Sequence, residues 1–363
     1  MARTHEAIRW NRASICFVVL IGLLIYGPRA GAQNTALGGS FAVGVNAQNL
    51  NAGTLGNQTT AIGTNALLAN LAGANNNTAV GFEALRFNEA SSNNTAVGAN
   101  SLTNTNIGGI GGGQNTAVGS SSMNANTTGE NNTAVGTNAL LLNTDGDGNN
   151  AFGFDALRAT QGNNNNAFGG SALAVNSSGS GNTAMGESAL RFSTSGNNNV
   201  AMGMNSMTAN TTGNNNVAVG RDTLNVNVEG SLNTAIGHSA NSGASGLTNS
   251  TTALGANTIA DGFSATAVGI GAQAVGANTS AFGNGARATR ANQMALGTAS
   301  NTYTMAGVNS SASTAAQSGP TEFVTADANG NLATDGGATN IIINKNTSWH
   351  SRIKREKKSP YQQ

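Results

Sequence analysis

Between Gln33 and Ala299 the chain keeps a short beat: a polar residue, a small or branched one, Ala, one larger apolar residue, then Gly. Thr-Ala-Val-Gly or a close variant occurs 17 times, closing on Gly38, Gly44, Gly63, Gly81, Gly98, Gly119, Gly136, Gly153, Gly169, Gly186, Gly203, Gly220, Gly237, Gly255, Gly269, Gly283 and Gly297. From Gly119 to Gly237 the steps are 17, 17, 16, 17, 17, 17 and 17 residues, and after Gly255 they shorten to 14, 14 and 14. A unit this small cannot bury a core alone and must stack on its neighbours. The pattern predicts an all-β fold, a parallel β-roll or β-solenoid of 14–21-residue coils in which these glycines are the structural repeat positions.

Alternation within an extended segment sends successive side chains to opposite faces. In Asn132-Thr133-Ala134-Val135-Gly136, Thr133 and Val135 share one face, and Asn132 and Ala134 share the other. The larger residue before each Gly is expected to fill the coil interior. The Ala on the opposite face is then expected to mark close approach by a second chain, as at Ala134, Ala184 and Ala218. The Gly lets the chain turn the corner. Three or four residues later a second pair recurs, as in Ala139-Leu140 and Ala189-Leu190, and predicts a short second strand or extended corner with one apolar residue inward. The rest of each unit, for example Asn210-Thr211-Thr212-Gly213-Asn214-Asn215, is turn chemistry. Stacked coils also align Asn side chains into hydrogen-bonded ladders.

Composition sharpens this picture. Only 9% of the 363 residues are charged and 4% aromatic, yet the regular apolar beat argues against disorder. Pro28, Pro320 and Pro360 all lie outside the repeats, as a continuous ladder requires. Residues 33–340 carry six Arg, no Lys and 13 acidic residues, a net of −7, which argues against nucleic acid as a partner. Residues 341–363 are a basic tail expected to be disordered. At the other end, Arg3 to Arg12 precede an apolar stretch from Ser14 to Tyr26, and Ala30-Gly31-Ala32 supplies small residues. Residues 1–32 are thus predicted to be a secretory signal peptide cleaved after Ala32. Cys16 is the chain's single cysteine, so the exported product would have no disulfide.

The repeats resemble the head repeats of the YadA-like trimeric autotransporter adhesins. The likeness is carried best by Ala265-Thr266-Ala267-Val268-Gly269-Ile270-Gly271-Ala272, Thr279-Ser280-Ala281-Phe282-Gly283-Asn284-Gly285-Ala286 and Asn292-Gln293-Met294-Ala295-Leu296-Gly297, and covers roughly residues 34–310. It implies a left-handed β-roll, three chains side by side as a homotrimer, and binding of host or environmental surfaces at the cell surface or outer membrane. The organisation expected is a solenoid head over 33–310, a hairpin-like or neck-like transition over 311–340, and the tail. Thr321 to Ala333 reads as a hairpin turning at Asn329-Gly330. Beyond it there are neither heptads nor alternating membrane strands, so the stalk and membrane anchor of the family are missing from the pattern. Either the head is secreted without a stalk, or the chain is truncated or frame-shifted after about Gly337.

Candidate chemistry changes little. Asp145-Gly146-Asp147-Gly148-Asn149 spaces oxygen donors like the start of a calcium loop but lacks the later Glu, and reads as a turn. Gly108 to Gly113 has no phosphate-loop Lys and reads as a slack insert; His238 has no second ligand nearby in sequence. Asp155, Glu187 and Asp222 fall at similar offsets after Gly153, Gly186 and Gly220, and paired carboxylates on a rod could serve a polysaccharide-active enzyme. Arg158, Arg191 and Arg221 beside them favour a solvated edge. The sequence therefore reads as a non-catalytic exported adhesin head without cofactor or metal, its surface ligand unknown. The alternatives are an ice- or mineral-binding solenoid, or a polysaccharide-active β-helix.

Overall fold

The computed structural model describes residues 40–47, 58–70, 73–105, 111–241, 249–304, 324–326 and 332–334. Gly38, the predicted signal segment with Ala32, and the basic tail lie outside them. The chain forms two units, one ending at Thr298 and one beginning at Ala299.

The first unit is an all-β parallel solenoid. Its backbone is one 16-stranded sheet in which the Thr-Ala-Val segments lie in chain order, from Phe41–Val43 to Met294–Leu296. Every pair is parallel and in register, so Ala134 sits over Ala151 and Val135 over Phe152. At the usual strand spacing, sixteen rungs make a ladder about 75 Å long. Among the described residues there is no helix.

The strand faces are the reverse of the expectation. Ala134, Ala184 and Ala218 are fully buried inside the coil, and so is the matching Ala in nearly every other strand. The larger residue before the Gly points outward: Ile62, Phe152, Met185 and Leu254 are each among the exposed large apolar side chains. Ala therefore faces the coil interior rather than a second chain. The interior is already occupied from the opposite wall by the Ala-Leu pair, both members of which are buried, as at Ala139 and Leu140. Only a methyl fits opposite them.

That second pair is not a strand in the wide coils. Leu140 has φ of 53° and Leu190 of 50°, the left-handed region, and the column from Leu67 to Leu224 repeats this at every coil. A left-handed Leu costs about 1–2 kcal/mol, but full burial of its side chain returns about 1.5–3 kcal/mol. Here a tight turn is held by the apolar residue at its centre. Short second strands occur at Ala159–Thr160 with Val175–Asn176, and in the narrow coils at Ile259–Ala260, Gln273–Ala274 and Arg287–Ala288.

The corner glycines are required twice over. Gly136 has φ of 135°, and a Cβ there would lie 2.5 Å from the carbonyl oxygen of Gly153 in the next coil. A second glycine column, including Gly129, Gly146, Gly179, Gly196 and Gly213, closes the far turn under the same backbone crowding. This column too recurs about once per coil, within turns already rich in glycine.

Buried asparagines complete the coil. From Asn77 to Asn233 the Asn that precedes the strand accepts the backbone N–H of its counterpart one coil on: Asn115 N–H donates to Asn94 Oδ1 at 2.9 Å, and Asn132 N–H to Asn115 Oδ1 at 2.9 Å. The same side chain donates across the interior to the turn glycine, as from Asn132 Nδ2 to Gly146 O at 2.8 Å. The predicted Asn ladders are thus present, and they satisfy the polar groups that a thin coil would otherwise bury unpaired.

In the second unit, Val324–Ala326 pairs antiparallel with Leu332–Thr334, matching the predicted hairpin. Its turn at Asn329-Gly330 lies outside the described residues.

Candidate functional site: the outward face of the long sheet

The feature that stands out for recognition is the face created by the inverted strands. Two side chains per rung point outward. The residue before the corner Gly is apolar in all sixteen rungs: Val in seven, then Ile62 and Ile236, Phe152, Phe168, Met185, Met202, Leu254, Phe282 and Leu296. The other is most often Thr, and Thr60, Thr78, Thr95, Thr116 and Thr133 stand in five consecutive strands. No strand of the sheet contains a charged residue. The face is therefore an unbroken apolar column beside a hydroxyl-rich one. Single exposed apolar residues are normal, but a contiguous strip marks an interaction surface.

At mid-ladder the column is heaviest. Phe152 and Phe168 stack with ring centroids 4.9 Å apart and planes 4° from parallel. The strands that carry them begin with Asn150 and Asn166 in place of Thr, joined by a 2.8 Å bond from Asn150 Nδ2 to Asn166 Oδ1. Elsewhere on the coil the exposed and half-buried apolar residues are intermittent and mixed with charge: Arg86 lies 4.6 Å from the ring centroid of the half-buried Phe87, and Arg191 5.1 Å from that of the exposed Phe192.

The residues weighed for chemistry are placed apart. Asp155 accepts from Asn138 Nδ2 at 3.0 Å and Asp222 from Asn205 Nδ2 at 3.1 Å, each in a polar row past the corner. Asp222 also lies 3.4 Å from Arg221 Nε. Asp155, Glu187 and Asp222 follow the seventh, ninth and eleventh strands of the sheet, so successive members are about 10 Å apart along the ladder. Glycosidase carboxylate pairs need roughly 5–9.5 Å across a shared bond, and Glu187 is moreover one residue nearer its glycine than the other two. Asp147 Oδ1 accepts the Glu130 N–H at 2.8 Å, a turn contact between coils. His238 is exposed, with Nε2 2.7 Å from Arg221 Nη2. Of the glycine-rich insert, Gly112 N–H donates to Thr128 O at 3.0 Å, and residues 106–110 lie outside the described set. No group of three or more His, Cys, Asp or Glu gathers among the described residues. Nor is any helix among them long and apolar enough to cross a membrane.

No protein-family model matches the chain, and no curated protein matches it in sequence.

Proposed function

We propose that this chain is an exported rod that associates side by side with copies of itself, as a homotrimer, and binds host or environmental surfaces through repeated contacts on its remaining faces. The observation that carries the reading is the uncharged outward face with its unbroken apolar column. A strip that straight and that long is matched best by a partner with the same rise per rung, and a second copy has it. Depletion of charge with exposed Phe and Met is also the composition of an interface core. The N-terminal segment ending at Ala32 supports export, and the resemblance of the repeats to YadA-like adhesin heads supports three-fold packing and cell-surface placement. Multivalent weak contacts along the rods then give avidity without a deep pocket. The reading needs no cofactor, metal or nucleic acid.

The test is the solution mass of the full-length chain by light scattering over a range of concentrations, with N-terminal sequencing of the exported product. A mass near three chains and a start at Gln33 are expected; a monomer at every concentration refutes self-association.

A second reading is favoured by one observation. The aligned Thr column offers regularly spaced hydroxyls on the outward face, which suits an ice or mineral lattice. That function needs the face open to solvent, so thermal hysteresis from a monomeric chain would select it over assembly.

A further inference from the structure

We infer that the centre of this face, formed by Phe152, Phe168, Met185 and Met202 with Phe154 and Met204 beside them, is the binding hot spot through which one copy of the chain holds another. The inference rests on the self-association proposed above and adds where its affinity resides.

The four residues stand on the seventh to tenth strands of the sixteen, the geometric middle of the ladder. Nine of the other twelve rungs carry Val or Ile at this position, and seven of those nine carry Val. The bulk is not demanded by the coil, because these side chains point away from its interior: Phe152 is 37%, Phe168 39%, Met185 42% and Met202 39% exposed. Rungs carrying Val135 or Val219 stack in the same sheet with the same backbone pairing. Local folding therefore gives no reason for large residues here, whereas an interface does. Hot spots gather near the centre of an interface, where neighbouring contacts exclude water, and Phe and Met are enriched in interface cores.

The occupant is a second copy on grounds of area and charge. At about 50–60 Å² exposed per residue, sixteen column residues present about 800–950 Å² per chain, against the roughly 800 Å² per partner of a stable interface. No charged side chain interrupts the strands, so gathering the identical faces of three copies sets no like charges against one another. Phe154 and Met204 widen the patch one residue past the corner glycines of the seventh and tenth strands.

The experiment is a concentration series in light scattering on the full chain and variants, with circular dichroism to verify the fold. In the wild type, assembly is expected. Phe152→Ser with Phe168→Ser should raise the concentration needed for assembly by about 100-fold, and Met185→Ser with Met202→Ser should shift it in the same direction. Val80→Ser with Val97→Ser, near one end of the same column, should shift it by less than about 10-fold, and Phe87→Ser with Phe192→Ser should leave it unchanged. Phe152→Val with Phe168→Val, which installs the commonest residue of the column, keeps the test valid if a serine variant misfolds; it should weaken assembly by about 10-fold. Assembly at wild-type concentration in both phenylalanine pairs, or equal loss from the Val80 and Val97 pair, overturns the hot spot while leaving self-association intact. A monomeric wild type overturns self-association itself.

Discussion

Substituting Ser193 by Asn should stabilise the solenoid, and the reason lies in a second buried ladder. Opposite the main sheet, Asn126, Asn143, Asn176, Asn210 and Asn227 each donate Nδ2 to the glycine carbonyl three residues on, as from Asn210 to Gly213 at 3.1 Å. Where two such residues are consecutive, the Nδ2 also donates to the Oδ1 one coil back: Asn143 to Asn126 at 3.0 Å, and Asn227 to Asn210 at 3.0 Å. Thr105, Thr160 and Ser193 interrupt this column. Among the described residues, four of the six buried side-chain oxygens left without a partner sit against those interruptions: Asn88 Oδ1, Asn143 Oδ1, Asn176 Oδ1 and Ser193 Oγ itself. Ser193 is fully buried and too short to reach either neighbour. In Ser193→Asn the new amide would donate to Asn176 Oδ1 and to Gly196 O, and its oxygen would accept from Asn210 Nδ2. An orphaned buried acceptor costs about 1–3 kcal/mol and each new bond is worth about 1 kcal/mol, against a packing cost of about 1 kcal/mol for the added atoms. The net expectation is about 2 kcal/mol of stabilisation, or a rise in Tm of about 4–8 °C. Urea unfolding followed by far-ultraviolet circular dichroism measures it. Hydrogen exchange of amides between Asn176 and Asn210 reports whether the gain is local, since repeat arrays can unfold in parts. Ser193→Ala, which removes the orphaned hydroxyl but leaves Asn176 unpaired, should gain less. An unchanged or lowered midpoint in Ser193→Asn would refute the ladder reasoning.

Other consequences follow from the same coil geometry. Gly136→Ala should destabilise by about 3–5 kcal/mol, because φ of 135° is foreign to Ala and its methyl meets the Gly153 carbonyl; chemical denaturation of the purified variant checks it. Leu140→Gly should cost about 2–3 kcal/mol despite relieving the left-handed backbone, while Asn138→Gly, equally left-handed at φ of 58° but half-buried, should change stability by less than about 0.5 kcal/mol; comparing the two melting curves separates burial from strain. Ala134→Leu should lose about 2–3 kcal/mol by overpacking the coil and expand it even as a monomer, seen as weakened circular dichroism at concentrations too low for assembly.

Much of the architecture was legible in local pattern. The glycine period at Gly119, Gly136 and Gly153 specified stacked coils, because one residue type recurring at a fixed step can only mean that each copy meets the next. Asn115, Asn132 and Asn149 announced a ladder, since aligned amides in stacked strands have no better partners. The turn residues at Asn329-Gly330 lie between the two strands that pair in the hairpin. The second glycine column at Gly129 and Gly146 carried a signal too, but it was hidden in turns whose composition is glycine-rich for ordinary reasons.

What the chain alone determined was the repeat, the strand at its heart and the two sets of residues, Asn132 with Ala134 and Thr133 with Val135, that alternation places on opposite faces. Which set points inward was decided only by the tertiary structure. Alternation is symmetric, and the rule that larger apolar residues go inside chose Val135, whereas the coil buries Ala134. The choice is set by the opposite wall, where Leu140 enters the interior from a left-handed turn and leaves room for a methyl alone. That is a matter of volume shared between segments distant on the coil. Its result is to move sixteen apolar side chains from the expected core to the surface, where they form the face on which the functional proposal rests.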